Sequence, residues 1–257
     1  MLIDFEMNFN KTMKEKLKAM LETGVHFGHQ VRRWNAKMAP YIYEEKNGVH
    51  ILDIVQTVDE LEKARIAFKK AKNVVFVGTR PQIAPVIKNI AEECNAHYVN
   101  TRWVGGLLTN WSTISACIQN LNDLDKLLEQ DPKTTGLTKK ELVQKEKEME
   151  RKEKFFGGVC QLSSLPDLVV IVGQPHERNA VLECQKLNIP TITLLDSNCD
   201  PSYTTYGIPA NDDSTRSVEF ILKQSLDHDQ VHSNYLPYKQ RLHYHLIQQN
   251  HVQNRVV

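Results

Sequence analysis

"NVVFVGTRPQIAPVIKNIAEECNAHYVNT", residues 73–101, contains a strand, a helix and a second strand in the order typical of a parallel sheet. Its "VVFV" run is apolar and mostly β-branched, as expected of a strand buried on both faces. The helix "IAPVIKNIAEEC" and the strand "AHYVNT" follow it. The stretch therefore predicts a strand-helix-strand unit, the building block of doubly wound α/β folds.

The same alternation returns late in the chain. Three further strands are predicted in "PDLVVIVG" (166–173), "PTITLLD" (190–196) and "YGIPAN" (206–211). Helices are predicted in "HERNAVLECQKLN" (176–188) and in "STRSVEFILKQSL" (214–226), the latter with Ser214 as its N-cap. We therefore expect an α/β fold, a doubly wound parallel sheet with helices on both faces.

An inserted helical hairpin is predicted between these two groups of elements. A heptad seam is formed by Ile114, Cys117, Leu121, Leu124 and Leu128. The turn "DPKTTG" (131–136) and a highly charged helix from Lys139 to Lys154 follow. We expect an antiparallel coiled-coil hairpin that projects from the core. The predicted segments are 1–111 (N-terminal helix, loop and first half of the core), 112–156 (hairpin), 157–227 (second half of the core) and 228–257 (tail).

The first third of the chain is less regular. A basic amphipathic helix is predicted at 11–23, followed by the loop "GVHFGHQVRRWNAKMAPYI" (24–42) and a strand in "GVHILDI" (48–54). The next helix has Thr57 as its predicted N-cap. Its apolar side is predicted to consist of Val58, Leu61, Ile66 and Phe68.

Composition limits the class of protein. The 257 residues carry a net charge of +1, and no apolar run approaches the length of a membrane span. The first twenty residues resemble neither a signal nor a transit peptide, so we expect the protein to act in the compartment where it is made. Its five widely spaced cysteines are typical of buried thiols in a reducing compartment. Five of the ten histidines lie irregularly in the tail, a pattern that does not favour metal binding.

Enzymatic chemistry finds little support in the sequence. The turn "GTRPQIAP" (78–85) has one glycine and two prolines, a poor cradle for a nucleotide phosphate. His26 and His29 are spaced H-x-x-H without the glutamate of a zinc protease. We therefore predict no catalytic residues and no cofactor. Carboxylates at the ends of the last two strands could hold a divalent ion, although turn formation and helix capping explain the same residues: Asp196, Asp200, Asp212 and Asp213.

Cations beside aromatic residues favour nucleic acid as the ligand. Arg32, Arg33, Trp34 and Lys37 place three cations around an indole, and Arg102 precedes Trp103. Such groups neutralise phosphates and stack on unpaired bases. The alternative is that the tryptophans fill the edge of the core, which we favour for Trp103 and Trp111. A nucleotide-binding enzyme and a protein-only adaptor that uses the hairpin stay open as rival functions.

Five long blocks, in order, resemble the small-subunit ribosomal protein S-two family in its bacterial and plastid form. The blocks are "GVHFGHQVRRWNAKMAPYI", "YVNTRWVGGLLTNWSTI", "GGVCQLSSLPDLVVIVG", "IPTITLLDSNCDP" and "IPANDDSTRSVEFIL", and the resemblance covers about residues 15–226. The first block is more similar to the plastid form, which implies a chloroplast-encoded protein of the plastid stroma, with a bacterial cytoplasmic protein as the alternative.

The resemblance implies a flavodoxin-like core carrying the coiled-coil hairpin, and a structural role in translation without enzymatic activity. It also implies binding to small-subunit ribosomal RNA where head meets body. Neighbouring subunit proteins would be partners, with the messenger-binding protein S-one among the candidates. By the resemblance, Arg102 and Asn110 face RNA while Gly105 and Gly106 permit a tight turn.

Overall fold

The computed structural model describes residues 2–128 and 138–226. Its helices are α1 (Leu2–Thr23), α2 (Ile54–Lys70), α3 (Ala84–Glu93), α4 (Trp111–Leu128), α5 (Lys139–Phe156), α6 (Arg178–Lys186) and α7 (Thr215–Ser225). Its strands are β1 (Phe27–Gln30), β2 (Ile42–Lys46), β3 (Val49–Leu52), β4 (Val74–Val77), β5 (His97–Val99), β6 (Leu168–Ile171), β7 (Thr191–Leu195) and β8 (Tyr206–Pro209). The predicted turn at 131–136 and the tail at 228–257 lie outside the described residues.

Five parallel strands form the central sheet in the order β5-β4-β6-β7-β8. Counted along the chain from β4, this is the order 2-1-3-4-5 of flavodoxin-like folds. The prediction of a doubly wound α/β fold is therefore confirmed, including its flavodoxin-like strand order.

Side chains of the central strands alternate between two apolar layers because successive residues point to opposite faces. Val74 and Phe76 pack on one face with residues of α1, α2, α3 and α7. Val75 and Val77 pack on the other face with residues of α4 and α6. The continuous apolar runs in the sequence follow from this burial on both sides.

The start of α2 differs from the prediction. The helix begins at Ile54, and the carboxylate of Asp53 accepts the backbone N–H of Val55 at 2.9 Å as the N-cap. Thr57 lies inside the helix, where its hydroxyl donates to the carbonyl of Pro209 at 2.6 Å, so the prediction of Thr57 as the cap is wrong. Ile66 is 48% exposed and does not belong to the apolar side.

A second, antiparallel sheet of strand order β1-β3-β2 is present, of which the sequence predicted only β3. The region 24–42 is therefore not all loop, since it contains β1 and two 3₁₀ helices. This region is attached to the C-terminal edge of the central sheet. The backbone N–H of Asn35 donates to the carbonyl of Ser197 at 2.8 Å, and Asn211 N–H donates to the carbonyl of Val25 at 2.9 Å.

Helices α4 and α5 pack against each other where they join the core. Met149 and Phe156 of α5 pack against buried Leu121 and Cys160. The buried side of α4 contains Ile114, Ile118, Leu121 and Leu124, so Ile118 takes the place predicted for Cys117. No residue of α5 is buried, as its charge predicted. A regular coiled coil stays a prediction.

Across the described residues, no helix is long and apolar enough to cross a membrane.

Candidate nucleic-acid interface and the polar cluster beside it

Arg32, Arg33 and Trp34 are exposed side by side at the end of β1. Val31–Arg33 forms a short 3₁₀ helix with Trp34 at its C-cap. The indole of Trp34 is 42% exposed, and its ring centroid lies 5.2 Å from that of His50. The guanidinium Nε of Arg32 donates to the side chain of Gln30 at 3.0 Å in an exposed contact. Two cations and one aromatic face are thus presented together to solvent.

Lys37 is exposed but already engaged with the chain. Its Nζ lies 2.8 Å from a carboxylate oxygen of Asp200 and donates to the hydroxyl of Ser202 at 3.1 Å. The hydrogen bond to Asp200 raises the pKa of Lys37. The carboxylate of Asp200 also accepts the backbone N–H of Ser202, which caps a short 3₁₀ helix. Because Asp200 already pairs with Lys37, this lysine should attract a phosphate less strongly than its exposure suggests.

The turn at 102–110 has a buried and an exposed side. Trp103 is only 6% exposed, and Leu107 and Leu108 are buried beside it in the layer that contains α4 and α6. Arg102 and Asn110 lie on the exposed side. Burial was predicted for both tryptophans: Trp103 is buried, whereas Trp111 is only half-buried.

One carboxylate, that of Glu183 on α6, organises this turn. It accepts the indole N–H of Trp103 at 3.0 Å and the backbone N–H groups of Gly106 and Leu108 at 2.8 and 3.0 Å. It also accepts both the backbone N–H and the hydroxyl of Thr109 at 3.1 and 3.2 Å. Burial raises the pKa of Glu183, but these hydrogen bonds together outweigh it, so the net pKa is lowered.

The two glycines of the turn differ in what they require. Gly106 has a φ of +85°, in the left-handed region that disfavours any Cβ, and a Cβ there would lie 3.3 Å from that of Asn110. A Cβ on Gly105 would meet nothing within 4 Å. Asn110 closes the turn, since its backbone N–H donates to the carbonyl of Gly106 at 2.8 Å. Its side-chain oxygen accepts the hydroxyl of Thr113 at 2.9 Å at the start of α4.

The two groups of predicted RNA-binding residues share one edge of the sheet without contacting each other. The turn at 102–110 follows β5, whereas the segment at 31–37 is hydrogen-bonded to residues that follow β7. Because β4 and β6 lie between them, these strands are three spacings apart, or about 14 Å. A single nucleic-acid strand of a few nucleotides could span that distance.

A cluster of ionisable side chains lies beside the first group. His29 of β1 places Nδ1 2.9 Å from Asp196 and Nε2 3.3 Å from Asp213. Arg80 forms ion pairs with Asp213 and with Asp212, the latter at 3.0 Å. The predicted meeting of Asp196, Asp212 and Asp213 is therefore observed. Asp200 stands apart, because it is occupied with Lys37.

The cluster shifts the pKa of its members. Burial raises the pKa of Asp212, and the nearby carboxylate of Asp196 raises it further, against the opposing effect of Arg80. The hydrogen bond to Asp196 raises the pKa of His29. Asp196 and Asp212 are both 1% exposed, so two carboxylates are held next to each other away from water.

Two places where this fold could cradle a phosphate are filled by glutamates of the chain itself. At the switch between β4 and β6, Glu177 accepts the backbone N–H of Thr79 at 2.9 Å and its hydroxyl at 2.6 Å. At the turn after β5, the backbone N–H groups donate to Glu183. These amides are not free to bind an anionic ligand.

The sequence alone does not reveal the role of either glutamate. Each lies in the ordinary amphipathic pattern of "HERNAVLECQKLN", and the partners are backbone groups more than 70 residues away. In the sequence, His29 stands out for its spacing from His26 and not for its carboxylate partners. The spacing of Arg80 from Asp212 and Asp213, more than 130 residues, gave no local signal.

Comparison with known proteins agrees with the fold and the blocks quoted above. The family model described as "Ribosomal protein S2" matches residues 20–228. "Small ribosomal subunit protein uS2c" of Ostreococcus tauri is 68% identical over 214 residues, which cover 83% of this chain and 95% of that protein.

More distant relatives show the same assignment. "Small ribosomal subunit protein uS2c" of Oltmannsiellopsis viridis is 46% identical over 221 residues, 83% of this chain and 91% of the relative. "Small ribosomal subunit protein uS2" of a Picosynechococcus strain is 47% identical over 215 residues, 82% of this chain and 84% of the relative. These relatives are named as ribosomal proteins and not as enzymes, and they belong to green algae and cyanobacteria, in agreement with the predicted plastid location. The chain belongs to the ribosomal protein S2 family of the small ribosomal subunit, in its plastid and cyanobacterial type.

Proposed function

We propose that this chain is a structural component of the small ribosomal subunit that binds ribosomal RNA at the junction of head and body. The observation that carries the proposal is the joint exposure of Arg32, Arg33 and Trp34 on a segment fixed to the sheet edge. Guanidinium groups neutralise phosphates, and an exposed indole stacks on an unpaired base. A segment already ordered by backbone hydrogen bonds binds with a smaller loss of conformational entropy.

The turn at 102–110 is the second proposed contact. Its exposed Arg102 and Asn110 are mounted on a backbone that Glu183 holds by hydrogen bonds. Because the buried side of the turn is packed around Trp103, the exposed side keeps its shape. In this proposal Arg102 pairs with a phosphate, and Asn110 donates a hydrogen bond through its amide group.

Helix α5 provides the third contact. Its exposed cations Lys140, Lys147, Arg151 and Lys154 recur at intervals of three, four or seven residues and so lie on one face of the helix. Within the described part of the chain, none of these four cations forms an ion pair. The net charge of +1 is distributed so that such local surfaces are basic while the whole is nearly neutral.

The partners in this proposal are small-subunit ribosomal RNA and neighbouring subunit proteins, with the messenger-binding protein S-one as one such neighbour. The segments at 1–111, 112–156 and 157–227 act as core, arm and core, and the tail at 228–257 is a separate segment. The two rivals, a nucleotide enzyme and a protein-only adaptor, are outcomes of the test. Glu177 and Glu183 argue against the first, since they occupy the amides that a phosphate would need.

Sedimentation of the full-length tagged protein in a sucrose gradient tests the proposal. We expect it to migrate with intact small subunits and to leave them after ribonuclease treatment. The double variant R32A/R33A should migrate with subunits less at raised salt, whereas the matched variant K70A/K186A, which removes two exposed cations elsewhere, should behave as the parent. Association that survives ribonuclease would favour the adaptor. Migration as a free protein with saturable nucleotide binding would favour the enzyme.

A further inference from the structure

We propose that a small cavity at the carboxyl ends of β6 and β7 binds one unpaired pyrimidine base of the RNA. This inference rests on the RNA-binding function proposed above and names the part of the RNA that this edge of the sheet recognises. The cavity is formed by the segment that follows β6, the first turns of α6 and the turn that follows β7. Ligands of open α/β sheets bind outside the carboxyl ends of the strands, so the fold favours binding at this position.

The size of the cavity matches a single ring. Its volume is about 170 Å³. A cavity of about 150 Å³ accepts a benzene ring, whereas sites for whole drug-sized ligands have volumes of roughly 300–1,000 Å³. A pyrimidine base consists of one six-membered ring with its substituents and therefore fits, while the fused second ring of a purine extends beyond the space.

The walls of the cavity offer aromatic and apolar surface. Tyr203 and Leu182 both line it and are 39% and 41% exposed. Exposed Pro175 and buried Val181 line it as well. Unpaired bases stack on aromatic side chains, and the contact tolerates different sequences because every base has a π-face. The ring of Tyr203 therefore provides the stacking face, and the apolar side chains cover the rest of the base.

Two asparagine side chains at the cavity provide hydrogen-bond donors. The side-chain oxygen of Asn35 accepts the backbone N–H of Lys37 at 3.0 Å, and that of Asn198 accepts the thiol of Cys199 at 3.5 Å. Neither NH₂ group donates a hydrogen bond to any residue that the structure describes. Amide NH₂ groups donate to carbonyl oxygens, which both pyrimidine bases of RNA carry. The two asparagines are thus placed to orient the bound ring.

Hydrogen bonds within the chain hold the cavity in shape. The side-chain NH₂ of Gln174 donates to the carbonyl of Asp200 at 2.8 Å, and its oxygen accepts the backbone N–H of Asp200 at 2.6 Å. The carboxylate of Asp200 is paired with Lys37 at 2.8 Å and so repels the phosphates of a bound RNA less strongly. Arg178, also at the cavity, is exposed and forms no ion pair within the described part of the chain. Its guanidinium is available to the phosphate of the bound nucleotide.

The cavity is continuous with the exposed segment that contains Arg32, Arg33 and Trp34. Asn35, which lines the cavity, directly follows Trp34, and its backbone N–H donates to the carbonyl of Ser197 at 2.8 Å. One RNA strand can therefore place one base against the indole and the base of a neighbouring nucleotide in the cavity.

Binding of fluorescently labelled oligoribonucleotides to the full-length chain tests this cavity. We expect the parent to bind decauridylate more tightly than decaadenylate, because only the pyrimidine enters. The ratio should be about fivefold or more, the factor that one base stacked on an aromatic side chain contributes. Y203A should remove this preference and N198A should reduce it, both without changing the affinity for decaadenylate. Y203F, which keeps the ring, and Y43A, which removes an exposed tyrosine on β2, should bind as the parent.

The outcomes separate the cavity from RNA binding itself. R32A/R33A should weaken the binding of both oligonucleotides alike. If the parent binds both equally, or if Y203A keeps the preference for decauridylate, the cavity is not a base site, although the RNA-binding function stands. Absence of binding to either oligonucleotide would also overturn the base site, and ribonuclease-sensitive sedimentation with small subunits then decides the function separately.

A protein occupant gives a different result. A Y203A variant that binds both oligonucleotides as the parent, but loses partners that resist ribonuclease, would assign the cavity to a protein and overturn the proposal. Circular dichroism checks that each variant is folded. If Y203A does not fold, N198A decides the question.

Discussion

The indole N–H of Trp103 and the backbone N–H of Gly106 donate to the same carboxylate oxygen of Glu183, at 3.0 and 2.8 Å. The buried and exposed sides of the turn after β5 are thereby attached to one point on α6. The contact surface that we propose for RNA therefore depends on Glu183, whose carboxylate is occupied by hydrogen bonds within the chain. Its effect on binding should be indirect and should appear first in stability.

Replacement of Glu183 by glutamine should destabilise the protein by about 2–3 kcal/mol, since hydrogen bonds to a charged acceptor contribute about 1.5–3 kcal/mol. The NH₂ group of the glutamine would also face the N–H and O–H donors of the turn, to which it offers no acceptor. Urea unfolding followed by tryptophan fluorescence measures this. E146Q, on the exposed surface of α5, should leave the free energy of unfolding unchanged. Equal stability of E183Q and the parent would contradict the role assigned to this carboxylate.

The contribution of Glu183 should depend on pH in a defined direction. Its pKa is lowered in the folded state, so its stabilisation is fully present above the unfolded pKa of about 4.3 and is lost as pH falls through the folded pKa. The stability difference between the parent and E183Q should therefore be the same at pH 7 and pH 6 and should shrink below about pH 4. Unfolding curves of both proteins across this range test the sign.

The glycines of the turn should respond differently to the same substitution. Gly106→Ala places a Cβ on a residue with φ of +85° and should cost about 1 kcal/mol or more of stability. Gly105→Ala should change stability by less than about 0.5 kcal/mol, because a Cβ there is unobstructed. Paired thermal unfolding of the two variants makes the comparison, and a larger loss for Gly105→Ala would contradict it.

RNA binding should depend more on Arg33 than on Lys37, because Asp200 already pairs with the lysine. Each cation that contacts a phosphate in single-stranded RNA contributes about 0.7 to the slope of log affinity against log salt. R33A should reduce the slope by roughly that amount, and K37A by clearly less. Filter binding of small-subunit RNA at several salt concentrations gives both slopes, and a K37A effect equal to that of R33A would refute the ranking.

Reversing charge on the proposed RNA-binding face of α5 should weaken incorporation into subunits without affecting the fold. In K147E/R151E, repulsion from phosphates replaces attraction, so association should decrease most at low salt. E146K/E150K, on the same helix, has the opposite charge change and serves as the control. Gradient sedimentation measures incorporation, and equal behaviour of the two variants would remove α5 from the interface.

The sequence predicted the elements whose burial is uniform and missed those defined by distant partners. Val74–Val77 and Leu168–Ile171 are buried throughout, so their apolar runs indicate the strands directly. Strand β2, "IYEEK", is mostly exposed and lacks any apolar alternation, which is why it was not predicted. The sequence alone does not single out Asp53 as the cap, because Thr57, four residues later, is an equally favourable N-cap residue locally.

The candidate site shows the same limit. Exposed Arg32, Arg33 and Trp34 were recognisable from their types alone. That Lys37 is paired with Asp200 could not be predicted, since the two lie 163 residues apart in the sequence. The carboxylates at 196, 212 and 213 were grouped correctly because parallel strands end at one edge, but their partner His29 comes from a strand that the sequence did not reveal.

The attachment of His29 to Asp196 and Ser197 has a consequence for synthesis of the chain. The backbone N–H of His29 donates to these residues at 3.1 and 2.9 Å across 167 and 168 positions of sequence. During synthesis, the segment that contains Arg32 and Arg33 is made long before the residues at the end of β7 that anchor it. The segment can reach its final geometry only once β7 has emerged and folded, because contacts of such separation form late. Chains not yet extended past Ser197 would therefore lack a formed binding surface, and only longer ones would compete for a place in a new subunit.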